Sequence, residues 1–131
     1  MVERIYTYKR VGYFKEKMAA NLGVKFTGTI YASNGVLQHI KRRHGRHLNR
    51  KIISNPIEYM KKIIDSPDYM GVYKSTDNVI YIELIKKFNE YILMGIEIDN
   101  QKDYINVSTM YPITERKINN RLYRGKIKKC I

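Results

Sequence analysis

The sequence predicts an α+β domain in which N-terminal helices pack on a four-stranded antiparallel sheet and a C-terminal helix follows. Apolar residues in the N-terminal half recur at helical spacing between helix-capping and helix-ending residues. Residues 69–111 instead alternate with period two and are rich in Ile, Val and Tyr. The 131 residues are 44% hydrophobic and 28% charged, which is the composition of one globular domain, residues 1–131.

The first stretch of the chain predicts a weak strand, a short helix and a second strand. Residues 1–11 alternate only weakly between apolar and polar side chains, which fits an edge strand or an extended arm. Good helix formers fill residues 13–22 and lead into Gly23, a residue type that commonly ends helices. Residues 27–31 have the composition of a brief strand.

Three further helices are predicted from their end signals. Ser33 or Asn34 can cap a basic helix that runs to about His44, and Gly45 stands where a left-handed residue is favoured. The other two begin at residues typical of a first turn or an N-cap. One of them runs from Pro56 to just before Ser66. The other runs from Thr114 to about Arg124 and is followed by Gly125 and a basic tail.

Four strands joined by short turns are predicted in the second half of the chain. They span residues 69–73, 79–87, 91–99 and 104–111. Connections this short require antiparallel neighbours. One face of the sheet is apolar and suits the helices. The other is polar and open to a ligand, and it carries Tyr81, Glu83, Tyr91, Glu97, Asn106 and Ser108.

The net charge of +13 predicts a polyanionic partner. The charge is divided along the chain: residues 1–51 carry 12 basic and 2 acidic side chains, and residues 114–131 carry 7 and 1. Residues 52–113 carry 6 basic and 9 acidic side chains. Two separate basic blocks favour phosphate contact, and the alternative is a set of solvated lysines that keeps the protein soluble.

The chain lacks the sequence features of membrane and secreted proteins. No run approaches the roughly 18–20 apolar residues that cross a bilayer, and the first residues do not form an apolar signal segment. With a single cysteine, Cys130, no internal disulfide is expected. The sequence therefore predicts a soluble, cytoplasmic protein with no membrane partner.

Two histidines lie within the basic helix. His39 and Arg43 are four residues apart and share a flank, whereas His44 lies nearer the apolar stripe. An imidazole exchanges a proton near neutral pH, and the guanidinium groups of Arg42 and Arg43 can hold a phosphate. His39 is the first candidate for catalysis and His44 the second. The alternatives are a solvated His39 and a His44 that interacts with the helix C-terminus.

A second group of candidates ends the last strand and continues into the last helix. The hydroxyls of Ser108 and Thr109 could bind a scissile phosphate together with Lys117, Arg121 and Arg124. Successive strand residues point to opposite faces, so the two hydroxyls can share one site only if the strand contains a bulge. The alternative is a strand end that packs and caps locally.

Metal-dependent chemistry is not favoured by the sequence. The spacing of His39, His44 and His47 matches no standard zinc pattern. Most Asp residues lie at turns, where capping explains them, and Glu83 and Glu97 are more simply cross-strand partners of lysines than general bases. The sequence therefore predicts no metal site and no cofactor.

Several short motifs follow one another in a fixed order. They are Ile30-Tyr31 leading into helix 35–44, Asn55-Pro56, the segment 66–71, the strand Val107-Ser108-Thr109-Met110-Tyr111, and the ending from Lys117 to Lys126. In this order they resemble the phage- and mobile-element-associated branch of the barnase/EndoU/colicin-D/RelE-like nuclease superfamily. The resemblance runs from about Gly28 to Lys129. It defines a core of residues 28–131 and leaves residues 1–27 as an N-terminal extension.

The resemblance implies a fold and a chemistry. The fold is a helical half packed on a four-stranded antiparallel sheet, and the activity is a metal-independent endoribonuclease used as a toxin or phage effector. The implied reaction is attack of the ribose 2′-hydroxyl on the adjacent phosphate, which leaves a 2′,3′-cyclic phosphate. Carried onto this chain, the motifs assign the site to His39, Arg43, His44, Ser108 or Thr109, and Tyr111, with Arg121 as basic partner.

The expected partner is RNA, either a tRNA or ribosome-bound mRNA, and a toxin of this charge would need an acidic antitoxin or immunity protein. Two alternatives stay open. A non-catalytic RNA- or DNA-binding module would use the same basic surface and stack bases on some of the 12 tyrosines. A metal-dependent DNase would instead lose its activity on chelation.

Overall fold

The computed structural model describes residues 8–102 and 104–130, which form a seven-stranded sheet and five helices. The helices are α1 (Glu16–Leu22), α2 (Asn34–His44), α3 (Arg50–Ser54), α4 (Pro56–Asp65) and α5 (Glu115–Tyr123). The strands are β1 (Tyr8–Phe14), β2 (Gly28–Ser33), β3 (Tyr69–Ser75), β4 (Val79–Lys87), β5 (Tyr91–Asp99), β6 (Ile105–Ile113) and β7 (Lys128–Lys129). Among these residues, no helix is both long and apolar enough to cross a membrane.

The sheet is mixed, and its strand order is β1-β2-β6-β5-β4-β3-β7. The prediction of N-terminal helices packed on a four-stranded antiparallel sheet is therefore wrong. The four predicted strands do form the antiparallel run β3 to β6, but β2 pairs in parallel with β6, β1 pairs with β2, and β7 pairs with β3. None of these three added pairings is a tight hairpin, so no turn residues in the sequence indicate them.

Local end signals place most helices where they were predicted. The Ser33 hydroxyl accepts a hydrogen bond from the Val36 N–H at 3.1 Å and caps α2, and the Thr114 hydroxyl caps α5 by accepting from the Lys117 N–H at 3.3 Å. Pro56 lies in the first turn of α4. These side chains satisfy or replace N–H groups that have no partner inside the helix.

Two local predictions need correction. The first helix starts at Glu16, because Tyr13 is still in β1 as part of an edge strand that spans residues 8–14. Gly45 has a φ of −59°, since the backbone continues through right-handed turns to Leu48 rather than reversing at a left-handed residue. Helix α3 was not predicted. Of the strand or arm predicted at residues 1–11, residues 1–7 lie outside the described residues, and residues 8–11 are part of β1.

Apolar side chains pack on both faces of the sheet. The larger cluster joins one face to α1–α4, and it includes Phe14, Ile30, Ile40, Met60, Ile63, Ile82, Leu84, Met94, Ile96 and Met110. The smaller cluster lies on the opposite face, under α5, and contains Ile85, Leu93, Ile113, Ile118 and Ile127. Helix α5 thus covers only part of that second face, and the polar side chains of β4, β5 and β6 beyond it remain accessible.

The path of the chain after β2 positions the basic helix beside β6. Only Ile30 and Tyr31 of β2 pair with β6, opposite Ile105 and Asn106. The chain then turns into α2, which lies against β6. The C-terminal, basic end of α2 is thereby brought next to the end of β6.

Candidate active site

A β-bulge in β6 turns two neighbouring hydroxyls toward the same side of the sheet. In the pairing with β5, Thr109 lies opposite Gly95 and Val107 lies opposite Ile96, so Ser108 is an additional residue with no partner of its own. Side chains of Ser108 and Thr109 both line one cleft. The bulge that Ser108 and Thr109 need in order to share one site is therefore present.

Gly95 leaves the space that these two side chains occupy. A Cβ at this position would lie 2.9 Å from the Ser108 Oγ and 3.2 Å from the Thr109 Cγ2, closer than side-chain carbons normally approach. The absence of a side chain on β5 therefore allows both residues of the bulge to sit over the strand.

Replacing Gly95 with alanine is expected to displace the Ser108 hydroxyl and to lower kcat/KM for the RNA substrate that the sequence predicts roughly tenfold, a loss of ~1.4 kcal/mol in transition-state stabilisation. Steady-state kinetics and thermal melting measure the effect. Gly35→Ala is the matched control, since its Cβ would meet only the Ser33 Oγ at 3.6 Å, an ordinary contact. Equal kinetics for the two variants would contradict this role for Gly95.

A buried ion pair borders the same cleft. Glu83 of β4 is 6% exposed, and its two carboxylate oxygens accept hydrogen bonds from Arg121 of α5, one from Nε at 3.0 Å and one from Nη2 at 3.2 Å. The hydrogen bond to Glu83 raises the pKa of Arg121 above its already high value, so the guanidinium stays charged. The pair fixes the plane of the guanidinium over the sheet.

Two histidines and a tyrosine form a row of rings at the other side of the cleft. The His44 ring centroid lies 5.2 Å from that of Tyr111 and 6.1 Å from that of His39. Burial lowers the pKa of His44 below 6.5, and electrostatic repulsion from His39, Arg43 and His47 lowers it further. His44 is therefore neutral at pH 7 and able to accept a proton.

Tyr111 connects the row of rings to the ion pair. Burial raises the pKa of its phenol, and the nearby Glu83 carboxylate raises it further, while Arg121 acts in the opposite direction. The phenol is thus protonated at neutral pH and available as a hydrogen-bond donor. It lines the cleft together with Arg121 and the two hydroxyls of the bulge.

The cleft has a volume of about 230 Å³ and lies on the polar face of the sheet. It is lined by side chains and backbone of Tyr73, Tyr81, Ile82, Glu83, Leu93, Gly95, Ile96, Ser108, Thr109, Tyr111 and Arg121. Hydroxyl donors and a fixed guanidinium converge there beside a neutral imidazole. Such groups can bind an anion, stabilise charge that builds on it, and accept a proton.

Four of the sequence-predicted site residues line this cleft: Ser108, Thr109, Tyr111 and Arg121. His44 lies against the Tyr111 ring, and His39 lies next to His44. Arg43 is exposed but close enough to affect the pKa of His44. Arg42, Lys117 and Arg124 are exposed and do not line the cleft. They lie on the two helices that flank it, in the last turn of α2 and at the two ends of α5.

Glu83, Gly95 and Tyr73 were not among the predicted site residues. Glu83 was expected to pair with lysines across the sheet, but its partner is Arg121 of α5. The sequence did indicate that Glu83 needs a cationic partner, because Glu83 interrupts the apolar run Ile82 to Ile85 and a carboxylate in a buried strand requires one. In residues 8–102 and 104–130, no three His, Cys, Asp or Glu side chains cluster as metal ligands do.

A family model described as phage-Barnase-EndoU-ColicinE5/D-RelE like nuclease3 matches residues 9–120. The match begins in β1, and it contains every residue of the cleft except Arg121, which directly follows its end. No curated protein and no solved structure matches the chain.

Proposed function

The chain belongs to this family of nucleases, and we propose that it is a metal-independent endoribonuclease that cleaves RNA by transesterification. One observation carries the proposal. The row His39, His44, Tyr111 ends in the cleft that holds the bulge hydroxyls and Arg121. A proton acceptor, a protonated phenol and a fixed cation are thus assembled at one place, which is what attack of a ribose hydroxyl on a phosphate requires.

In the proposed reaction, His44 accepts the proton of the ribose 2′-hydroxyl. The 2′-oxygen bonds to the adjacent phosphorus while the bond from phosphorus to the 5′-oxygen breaks, and His39 gives a proton to the leaving oxygen. The products are a 2′,3′-cyclic phosphate and a 5′-hydroxyl. Ser108, Thr109 and Tyr111 donate hydrogen bonds to the phosphoryl oxygens, where negative charge increases in the transition state.

Arg121 is the phosphate ligand inside the cleft, although its charge is partly balanced by Glu83. Its Nη1 makes no hydrogen bond to the part of the chain that the structure describes, and this group is the one we assign to the phosphate. Because the ion pair is close to neutral, the wider attraction of RNA falls to Arg42 and Arg43 on α2 and to Lys117 and Arg124 on α5.

A toxin role and an acidic protein partner are part of the proposal. They are supported by the net charge of +13 and by the phage nuclease family to which the chain belongs. An antitoxin or immunity protein with an acidic surface would cover the basic end of α2 and block access of RNA to the cleft.

The test is incubation of the purified protein, in EDTA, with a labelled single-stranded RNA and with DNA of the same sequence. We expect cleavage of the RNA and none of the DNA, because only RNA has the 2′-hydroxyl that the reaction uses. If RNA is bound in a gel-shift assay but not cut in the presence or absence of ribosomes, the non-catalytic binding module replaces this proposal. Cleavage of DNA that EDTA abolishes would identify a metal-dependent DNase.

The pH dependence of kcat/KM is a second expected result. Since the pKa of His44 is below 6.5, kcat/KM should rise with pH through an apparent pKa under that value as the base becomes deprotonated, and it should fall again at higher pH as the group that protonates the leaving oxygen loses its proton. Rates measured between pH 4.5 and 8 on one RNA substrate give the curve. An acid limb centred above 6.5 would show that another group, not His44, is the base.

A further inference from the structure

Three tyrosines form a second cleft on the sheet, outside the site described above. The ring centroids of Tyr8, Tyr31 and Tyr104 lie 5.8 to 6.4 Å from one another, with interplanar angles of 60 to 88°. Together with Thr29 they line a cleft of about 380 Å³. Lys102 places its Nζ 6.0 Å from the centroid of the Tyr104 ring.

This tyrosine cleft and the candidate active site share one face of the sheet. Tyr31 of β2 lies opposite Asn106 of β6, and the alternating neighbours Ile30 and Ile105 are buried in the core on the other face. Asn106 is two residues before Ser108, so the two side chains point to the same side. Along β6, Tyr104 precedes Ser108 by four residues, roughly 13 Å at the rise of a strand.

The surface that joins the two clefts is polar. Asn106 and its cross-strand partner Glu97 lie there, both half-buried, and Tyr81 lies opposite Glu97. Strand pairing therefore sets Tyr81, Glu97, Asn106 and Tyr31 in one row across the sheet. Helix α5 packs over the apolar cluster at the other end of that face, and the four side chains of the row keep partial exposure in the part of the chain that the structure describes.

We propose that the tyrosine cleft binds an unpaired base of the RNA substrate, a nucleotide or two away from the one that is cut. The inference rests on the proposed function. Aromatic rings on an open sheet face are suited to stack on bases of single-stranded nucleic acid, and stacking does not depend on sequence. The adjacent ammonium of Lys102 supplies attraction for the phosphate of the same nucleotide.

A double-stranded substrate does not fit this arrangement, because its bases are paired and stacked on each other. The protein should therefore prefer single-stranded RNA, held at the tyrosine cleft by a base and at the active site by the scissile phosphate.

The test uses a fluorescein-labelled 2′-O-methyl RNA 12-mer of mixed sequence, which lacks the attacking hydroxyl, and an abasic 12-mer with the same backbone. Anisotropy titrations compare the wild-type chain with Tyr31→Leu/Tyr104→Leu, which keeps apolar bulk but removes the rings. We expect the double variant to bind the 2′-O-methyl RNA about tenfold more weakly and the abasic oligomer unchanged. Tyr31→Phe/Tyr104→Phe should bind both as wild type does.

Tyr123→Leu is the matched control, because Tyr123 is 93% exposed and lies at the end of α5. Thermal melting shows whether each variant is folded, and if the leucine pair is not, the single variant Tyr104→Leu is titrated in its place. Unchanged affinity for the 2′-O-methyl RNA, or an equal loss for both oligomers, would overturn the proposal. Both probes lack the attacking 2′-hydroxyl, so these titrations measure binding alone. Failure of the nuclease proposal would appear in the separate cleavage assay, where unmodified RNA would remain intact.

Discussion

Replacing His44 with alanine is expected to lower the rate of RNA cleavage by about 10²- to 10⁴-fold, the usual contribution of a general base. His44 is the imidazole in contact with Tyr111 at the cleft, and burial and nearby cations keep it neutral at pH 7. Single-turnover cleavage of a labelled RNA, with protein in excess, measures the chemical step without interference from product release.

His47→Ala is the control for this variant. His47 is exposed and follows α2 in the turn after Gly45, so its loss removes a nearby imidazole without touching the row of rings. We expect His47→Ala to cut RNA at close to the wild-type rate. If His44→Ala is folded by circular dichroism and still cuts RNA at the wild-type rate, the base lies elsewhere. His39, the first candidate from the sequence, is then tested in the same assay.

Replacing Arg121 with methionine is expected to lower cleavage by about 10²- to 10³-fold and to destabilise the fold as well. The loss of rate follows from removing a fixed cation at the developing charge. The loss of stability follows because Glu83 is left buried without its partner. It should be about 3 kcal/mol, the lower end for a broken buried pair, since the Arg121 side chain is 23% exposed.

A double variant separates these two effects. In Glu83→Leu/Arg121→Met the uncompensated carboxylate is gone, so the melting temperature should return most of the way to the wild-type value. The cleavage rate should stay as low as in Arg121→Met, because the proposed phosphate ligand is still missing. Recovery of activity together with stability would mean that Arg121 only supports the fold and takes no part in the reaction.

Much of the secondary structure was predictable because its signals are local. Ser33, Pro56 and Thr114 mark helix starts through side-chain chemistry within three residues of each cap. The hairpins of β3 to β6 follow from period-two alternation between short turns. The parallel pairing of β2 with β6 and the addition of β1 and β7 depend on contacts between distant segments, which no window of the sequence displays.

The candidate site divides in the same way. The histidines of α2 and the hydroxyls of β6 were identified because each group is continuous in sequence. That a bulge would be needed for Ser108 and Thr109 to share a site followed from strand geometry, and the structure contains it. That Glu83 needs a partner could be read from its place in an apolar run, but the identity of the partner could not, since Arg121 comes from a helix whose position over the sheet depends on the whole fold.

The most direct test of transesterification compares two RNAs in EDTA. The first is an unmodified RNA whose main cut site has been mapped. The second has the same sequence but carries a single 2′-deoxy nucleotide directly 5′ of that cut site. Transesterification predicts that the unmodified RNA gives fragments with 2′,3′-cyclic phosphate and 5′-hydroxyl ends, and that the one substitution blocks the cut at that site. Cleavage that persists at the deoxy position, or fragments that begin with a 5′-phosphate, would contradict it, because both require attack by a nucleophile other than the 2′-hydroxyl.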